Sequence, residues 1–256
     1  MSILPVSTPT TPNHVSSFPA QAASGSSRIP IMFRRLHKFH QMDFELAAWQ
    51  LTYLCLAPKR VYRNVYFHKQ TKNTWARDDP AILVLISACL TVSAIAWSIV
   101  WYYSAWEAIG LAFLFIFRDY ILSGVIVATI LWFFSNRVLL SPPSHSDPVD
   151  TSVEWSYAFD VHTNAFFPLY LTLYLAQLFL VPIIMKDNWV CIWVGNTLYL
   201  AGFAQYMYGL YLGLNALPFL IRTELLLAPL LPLFAAYVVS LLGFNVAKHV
   251  LPMYFD

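Results

Sequence analysis

The residues best placed to do chemistry are a few polar and ionisable side chains that interrupt apolar sequence. Arg118 and Asp119 stand inside the long apolar run 109–134. Ionisable groups at membrane depth are costly, and they usually face the interior of a helical bundle, where they are paired. Neighbouring residues of a helix point about 100° apart, so these two need not pair with each other. Two interpretations stay open: either charge belongs to a buried site, or the span begins near Asp119 and residues 106–117 lie at the interface.

A second polar group lies in residues 154–168. Tyr157, Asp160 and Asn164 share one helical face by their spacing of three and four residues, and His162 lies off that face. Such side chains near a membrane surface can ligate a metal or handle protons. The alternative is a helix that starts at the cytosolic interface, with Asp160 near the positive end of the helix dipole. Since no second ligand pair and no nucleophile–base arrangement accompanies them, no metal site and no catalytic centre is predicted.

The remaining polar and sulfur-containing residues favour structural roles. Asn196 follows Gly195 in a later apolar run, and this pairing favours close helix packing with an interhelical hydrogen bond. Three cysteines, Cys55, Cys89 and Cys191, are too few and too scattered for a disulfide framework or a zinc site. The sequence therefore predicts a protein that is not an enzyme and that holds no cofactor.

Basic and aromatic residues alternate in residues 59–72. They are Lys59, Arg60, Tyr62, Arg63, Tyr66, Lys69 and Lys72. Each Lys or Arg near an anionic membrane surface contributes about 1 kcal/mol to binding. The segment predicts a contact with lipid headgroups or with an acidic protein. RNA, bound by phosphate contacts and stacking, is a weaker alternative because no RNA-binding motif accompanies the segment. A third interpretation is that these cations only fix the topology.

The elements that must hold these residues are predicted to be transmembrane helices. The chain has 256 residues, of which 59% are hydrophobic and 11% charged, whereas soluble domains are about 45–50% apolar and about 25% charged. A hydrocarbon core of about 30 Å needs about 20 helical residues. Runs of that length occupy residues 81–103, 109–134, 161–185, 189–212 and 225–244. The predicted fold is all-α, a polytopic bundle of about five transmembrane helices.

Three other regions flank the predicted bundle (81–245). Residues 1–30 are rich in Ser, Pro and Thr and are predicted to be disordered. Residues 31–80 form a basic, amphipathic cytosolic region, and residues 246–256 form a lumenal tail. Between Gln41 and Ala57 a helix is predicted with two apolar stripes, Met42–Leu46–Trp49–Tyr53–Leu56 and Phe44–Ala48–Leu51–Cys55. Two apolar sides favour an interfacial helix between lipid and protein, the alternative being a buried helix of a small cytosolic subdomain.

The distribution of Lys and Arg predicts the orientation. With five spans, one side of the membrane holds the N-terminal region and the loops 135–160 and 213–224, which carry twelve Lys and Arg, ten of them in residues 28–79. The other side carries only Lys186 and Lys248. Because basic residues stay in the cytosol, we expect a cytosolic N-terminus and a lumenal C-terminus.

Several longer blocks of sequence resemble the UNC-fifty family of Golgi membrane proteins. They run, in family order, through FHQMDFELAAWQ (39–50), PKRVYRN (58–64), KQTK (69–72), WARDDP (75–80), EWSYAFDVH (154–162), NAF (164–166), GNTL (195–198) and ALPFL (216–220). The resemblance spans about residues 31–245. Asp119 fits the family pattern, whereas Arg118 departs from it.

The resemblance implies five spans with a topology similar to that of Yip-domain proteins. It implies residence in Golgi membranes, with the endoplasmic reticulum or inner nuclear membrane as further locations. It also implies roles in vesicle and protein trafficking, recruitment of large exchange factors for Arf-type GTPases, and delivery of membrane-protein cargo such as nicotinic receptors in animals. RNA binding is attributed to the family as well, and no catalytic residue carries over.

Two main hypotheses follow. The first is a non-enzymatic Golgi adaptor whose residues 59–72 dock a trafficking factor or anionic lipid. The second is a transporter or lipid-handling protein, with Asp119, Asp160, His162 and Asn164 along a polar path. A cavity that reaches Asp119 favours the second hypothesis, and a solid bundle favours the first.

Overall fold

The computed structural model describes residues 42–63, 79–141, 152–186 and 188–255. The described chain is almost entirely helical, and its one extended pairing is the antiparallel bridge between Leu140 and Leu220. In chain order, the principal helices are α1 (Phe44–Leu56), α2 (Ala81–Val100), α3 (Ala105–Leu139), α4 (Trp155–Ile184), α5 (Trp189–Asn215) and α6 (Leu230–Ser240). A 3₁₀ turn, Thr223–Leu227, precedes α6, and the short helices α7 (Val246–Val250) and α8 (Pro252–Phe255) follow it. Residues 58–63 form one more helical segment after α1.

Four helical segments of the described chain are long and apolar enough to cross a membrane. They are α2, α3, α4 and Thr223–Ser240, which includes α6. Helix α5 is 27 residues long and has no charged side chain, but its Asn, Gln, Tyr and Gly residues lower its mean hydropathy. The structure confirms the all-α polytopic bundle of about five spans.

Several ends of the spans differ from the predicted ones, and local capping explains the start of α3. Helix α3 begins four residues before the predicted 109 because Ser104 and Glu107 form a capping box: the Glu107 carboxylate accepts from the Ser104 backbone N at 2.7 Å. Helix α2 ends at Val100 rather than 103, just before Tyr102, whose φ is +56°. Helix α4 begins at Trp155, six residues before the predicted 161.

Helix α1 is fixed to the bundle by one face. Ala47, Leu51 and Leu54 are buried against α2 and α4, and Gln50 Nε2 donates to Asn164 Oδ1 at 3.3 Å. Asp79 joins the starts of α1 and α2 because its carboxylate accepts from two backbone N–H groups, those of Asp43 and Ala81, each at 3.0 Å.

Neither predicted stripe is the packed face of α1. In the first stripe Leu46, Trp49 and Leu56 are exposed, and in the second only Leu51 is buried. The small Ala47 lets the helix approach its neighbours closely, so the packed face runs between the two stripes. The other side of α1 stays apolar and exposed, as expected of an interfacial helix.

The C-terminal residues fold back into the bundle instead of forming a loose tail. The Phe255 ring stacks on Trp97 and Trp101, with centroid distances of 5.0 and 4.9 Å. Ala247 and Leu251 are buried as well. This return of the chain brings Tyr254 beside α3, in the middle of the bundle.

Candidate functional site

A cavity of about 660 Å³ lies between α3, α4, α5 and α6 and is closed at one end by the C-terminal residues. Its apolar lining comes mainly from Phe166, Leu169, Leu173, Leu200, Phe203, Leu233, Ala236 and Val250. Its polar groups come from Arg118, Asp119, Ser123, His162, Tyr174, Asn196, Tyr199, Tyr206, Tyr237, Ser240 and Tyr254. The volume falls within the range of about 300–1,000 Å³ that is typical of small-molecule sites.

An ion pair with two tyrosines forms the polar end of the cavity. Arg118 Nε donates to Asp119 Oδ1 at 2.7 Å, so the two neighbours do pair with each other. The Tyr174 hydroxyl donates to Asp119 Oδ2 at 3.0 Å. The Arg118 guanidinium lies over the Tyr254 ring, with its carbon 4.4 Å from the ring centroid. The Asp119 side chain is only 9% exposed, whereas that of Arg118 is 42% exposed.

The ion pair lies near the middle of helix α3. Helix α3 is continuous over 35 residues, and Arg118 stands roughly 20 Å from its start at 1.5 Å per residue. Within the bundle the Asp119 side chain is covered, since it is only 9% exposed and accepts from both Arg118 and Tyr174. The structure favours the interpretation in which Asp119 belongs to a buried site.

Two π-helical stretches face each other across this ion pair. One covers Leu114–Leu122 in α3 and contains the pair, and the other covers Leu171–Ala176 in α4 and contains Tyr174. Such i→i+5 stretches are rare and often occur at functional sites. Their wider turns change the direction of the side chains, so Tyr174 reaches Asp119 from the opposite helix.

His162 lies deeper along the same wall and is 1% exposed. Its Nε2 is 3.2 Å from the Tyr120 carbonyl oxygen, and its Nδ1 is 2.7 Å from the Tyr206 hydroxyl. A carbonyl only accepts, so Nε2 carries the hydrogen and, in the neutral imidazole, Nδ1 accepts from Tyr206. Both ring nitrogens are therefore used in holding α3, α4 and α5 together.

Asn196 ties α5 to the C-terminal part of the chain. Its Nδ2 donates to Ser240 Oγ and to the Phe244 carbonyl, both at 2.8 Å, and its Oδ1 accepts from the Val246 backbone N at 3.0 Å. This is the interhelical bonding that its place beside Gly195 predicts. Asn196 therefore closes one end of the cavity instead of offering unused polar atoms to it.

Asp160 and Asn164 do not reach the cavity. Asp160 lines a small separate pocket beside Asp79 and Pro80, and Asn164 is turned toward α1, where Gln50 donates to it. The predicted polar path of four residues is wrong in this respect, because only Asp119 and His162 meet in one site. Residues 160 and 164 share one helical face, and that face points to α1 and α2.

The cationic surface next to the bundle consists of Lys59, Arg60 and Arg63. All three are exposed on the helical segment 58–63. Tyr62 lies between them but is 3% exposed, so its ring packs inside and offers no contact surface. Tyr66, Lys69 and Lys72, also predicted to bind a partner, lie outside the described residues.

No sequence pattern singles out the tyrosines of the cavity. Tyr174, Tyr206 and Tyr254 stand in apolar or aromatic stretches where each looks like a core or membrane-interface residue. Tyr254 is 136 positions from Arg118, so only the fold brings the two together. The described residues contain no group of three or more His, Cys, Asp or Glu side chains that can hold a metal ion.

Comparison with known proteins adds a family context to this geometry. The model of the UNC-50 family matches residues 32–255. A human protein named "Protein unc-50 homolog" is 46% identical over 228 residues, which cover 88% of this chain and 86% of the human one. The protein of that name from Dictyostelium discoideum is 43% identical over 91% of both chains. A "Protein GMH1 homolog" from Schizosaccharomyces pombe is 41% identical over 86% of this chain and 94% of its own. No solved structure matches.

Proposed function

The chain belongs to the UNC-50 family, and we propose that it is a non-enzymatic Golgi membrane protein that acts in vesicle and protein trafficking. Its cytosolic surface would recruit an exchange factor for Arf-type GTPases. The family resemblance supports the Golgi location and the class of partner. The exposed cations of residues 58–63 support the place of contact, and membrane-protein cargo such as receptors belongs to the same proposal.

The observation that carries this proposal is the outward exposure of three cations on one short helical segment. Lys59, Arg60 and Arg63 are exposed, while Val61 and Tyr62, between them, are buried. The segment is thus anchored by its apolar side chains and presents its charges outward in a fixed arrangement. Cations presented in this way attract an acidic partner and speed its association.

The orientation is part of the proposal. The five long helices alternate in direction, so α1 and the loops after α3 and α5 share one side of the bundle, and the turns after α2 and α4 share the other. We place the first side in the cytosol because it carries the excess of Lys and Arg. A protease added to intact Golgi vesicles should remove a tag at residue 5 and spare a tag after Asp256. Protection of the N-terminal tag would overturn this orientation.

The recruitment proposal is tested by removing two cations. We expect Arg60→Ala with Arg63→Ala to leave membrane insertion and Golgi location intact and to weaken recruitment of a cytosolic Arf exchange factor to isolated Golgi membranes. Reversal of both charges to Glu should weaken recruitment further and make the remaining binding less sensitive to salt.

The matched control removes two cations from the same side of the bundle. Arg137 and Arg222 are both exposed and lie in the loops predicted to be cytosolic. Their replacement by Ala should leave recruitment unchanged. Equal loss in both double variants would indicate a general charge effect, and wild-type recruitment by the Arg60/Arg63 variant would place the docking site elsewhere.

RNA is not favoured as the partner of this surface. RNA recognition by such segments relies on exposed aromatic rings that stack on bases, and Tyr62 is buried. If cross-linking in cells recovers RNA on peptides from residues 58–63, and Arg60→Ala with Arg63→Ala removes it, the RNA hypothesis gains the support that it lacks.

A second function, lipid handling, is favoured by the cavity. A bundle without a cavity would favour an adaptor alone, but a cavity of about 660 Å³ reaches Asp119. The two functions occupy different parts of the molecule and can coexist. We propose that the spans hold a lipid while the cytosolic surface recruits the trafficking factor.

A further inference from the structure

The chemistry of the cavity points to one class of lipid. We infer that it binds a neutral membrane lipid whose headgroup is a hydroxyl, such as a sterol, a diacylglycerol or a ceramide, with the hydroxyl held between Arg118 and Asp119. The inference rests on the second proposal above, lipid handling, and names its ligand.

The distribution of polar groups sets the orientation of the ligand. The ion pair Arg118–Asp119 and the hydroxyls of Tyr174 and Tyr254 gather at one end. Most of the remaining lining is aliphatic or aromatic carbon. The bulk of a bound molecule must therefore be apolar, and only a small group can be polar, since a large hydrated headgroup would lie against apolar side chains.

The charge of the polar end excludes an ionic headgroup. Arg118 and Asp119 are 2.7 Å apart and cancel each other's formal charge. His162 is held by the Tyr120 carbonyl and the Tyr206 hydroxyl, an arrangement that neutral imidazole satisfies. A fatty-acid carboxylate or a lone ammonium would bring in an unpaired charge at low dielectric, where desolvation is expensive.

The hydrogen-bonding groups at the polar end suit a hydroxyl. A guanidinium has five N–H donors, and the bond to Asp119 uses the one on Nε. The side chain stays 42% exposed, so donors remain for a ligand. The Asp119 carboxylate accepts from Arg118 through Oδ1 and from Tyr174 through Oδ2, and Tyr254 lies beside it as a further partner. A carboxylate has about four acceptor positions, so it can still accept a bond from a ligand. A hydroxyl accepts and donates at once, so it can bridge the two side chains.

Helix α6 provides the route of entry. It forms one wall of the cavity through Leu233, Ala236 and Tyr237, yet Ser240 is its only buried residue. A wall with so little buried contact separates at low cost. Movement of α6 away from the bundle would open the cavity that it lines, so a lipid enters sideways from the bilayer.

The test uses photoreactive lipids on the purified full chain in phosphatidylcholine nanodiscs. Four diazirine- and alkyne-bearing probes are compared at equal mole fraction: a sterol, a diacylglycerol, a fatty acid and a phosphatidylcholine. Mass spectrometry then locates the labelled peptides. We expect the sterol or the diacylglycerol to label cavity-facing peptides of α4, α5 and α6, and an excess of the unlabelled hydroxyl lipid to compete.

Two alanines of α6 give a matched pair of variants. Both are exposed, but only Ala236 lines the cavity; Ala235, the preceding residue, does not. Ala236→Trp should abolish the competable labelling, and Ala235→Trp should leave it unchanged. Replacing both Arg118 and Asp119 with Leu keeps the cavity and removes its polar end, so labelling by the hydroxyl lipids should fall about tenfold, as expected for lost charge-assisted hydrogen bonds.

The other possible labelling results overturn either the proposed ligand class or lipid handling as a whole. Competable labelling of the cavity by the fatty acid or phosphatidylcholine, lost in Ala236→Trp, keeps lipid handling and overturns the ligand class. Labelling that is equal for all probes, or insensitive to Ala236→Trp, overturns lipid handling itself. If Ala236→Trp is not monodisperse, the competition experiment on the wild-type protein decides, since phosphatidylcholine must fail to compete where the hydroxyl lipid succeeds.

Discussion

The contact between α4 and α5 and the contact between α5 and α6 differ in almost every respect. In the first, backbones approach so closely that a Cβ added at Gly209 would lie 2.9 Å from Ala165 Cβ and 3.0 Å from its Cα. The Tyr157 hydroxyl also donates to the Gly213 carbonyl at 2.6 Å. In the second, a single buried residue of α6, Ser240, meets Asn196.

The difference shows that one bundle combines a rigid pair of helices, α4 and α5 (the frame), with a loosely packed helix, α6 (the loose wall). Close backbone packing through small residues is how helices associate in a membrane, where no hydrophobic effect drives them together. The pair α4–α5 therefore acts as the scaffold that fixes His162 and Tyr174. Helix α6 lacks such an interface, and it borders the cavity. Four substitutions test this contrast, from the largest expected effect to the smallest.

The largest effect is expected when the rigid contact is forced apart. Gly209→Leu places a side chain where the backbone of Ala165 already lies, so the two helices must separate. We expect a loss of more than about 3 kcal/mol in the free energy of unfolding, or no monodisperse protein at all. Thermal unfolding of the purified chain in detergent gives the measurement.

The control for this substitution is Gly110→Leu. An added Cβ there meets no atom within 4 Å, and Leu is the better helix former by about 1 kcal/mol. The control should be neutral or stabilising. If both variants lose stability alike, glycine flexibility and not close packing explains the first result.

A smaller loss is expected from breaking the ion pair of α3, which Tyr174 of α4 contacts. Asp119→Leu leaves Arg118 unpaired within the span and removes the acceptor of Tyr174. We expect a loss of about 2–3 kcal/mol, below the range for a fully buried pair because Arg118 is 42% exposed. Adding Arg118→Leu should recover most of it, measured by the same thermal unfolding. A neutral Asp119→Leu would mean that the pair lies in water at the interface.

A still smaller loss of stability is expected from removing the hydrogen bonds by which Asn196 of α5 holds α6 and the residues after it. Asn196→Ala removes the three hydrogen bonds to Ser240, Phe244 and Val246, and of these three residues Ser240 is buried. We expect a loss of about 1–2 kcal/mol and faster hydrogen–deuterium exchange confined to α6 and α7. On the same helix, Gln205 is exposed and bonds only Thr172 at 3.0 Å, so Gln205→Ala should change neither quantity. Faster exchange across α4 would show that the two contacts are not independent.

The smallest effect is expected on the outer side of the loose wall. Phe234 of α6 is 55% exposed, whereas Phe166 of α4 is 4% exposed. Phe234→Ala should change stability by less than about 0.5 kcal/mol, while Phe166→Ala creates a cavity in the frame and costs several times more. Equal losses in thermal unfolding would show that α6 is packed as firmly as α4.

The sequence predicted where the helices lie, because apolar runs are a local pattern. It did not predict which face of a helix packs against its neighbours, because that depends on the tertiary structure. The apolar runs predicted the helices, and α3 was predicted except for its ends: the Ser104–Glu107 capping box moves its start, and it continues to Leu139, five residues beyond the predicted 134. The packed face of α1 was missed because both sides of that helix are apolar. Asp160 and Asn164 were assigned to one polar path with Asp119, but their shared face turns to α1 and α2.

The sequence by itself determined that this protein lies in a lipid bilayer and that it is helical there. Long apolar runs with few charges can be hidden only in a bilayer, and within it only helices satisfy their own backbone groups. It also determined that Arg118 and Asp119 would need partners. Only the tertiary structure decided which residues are those partners, because Tyr174 and Tyr254 reach the ion pair from distant points of the chain. The cavity likewise depends on how loosely α6 packs, and packing between helices is a property of their assembled surfaces that no local pattern records.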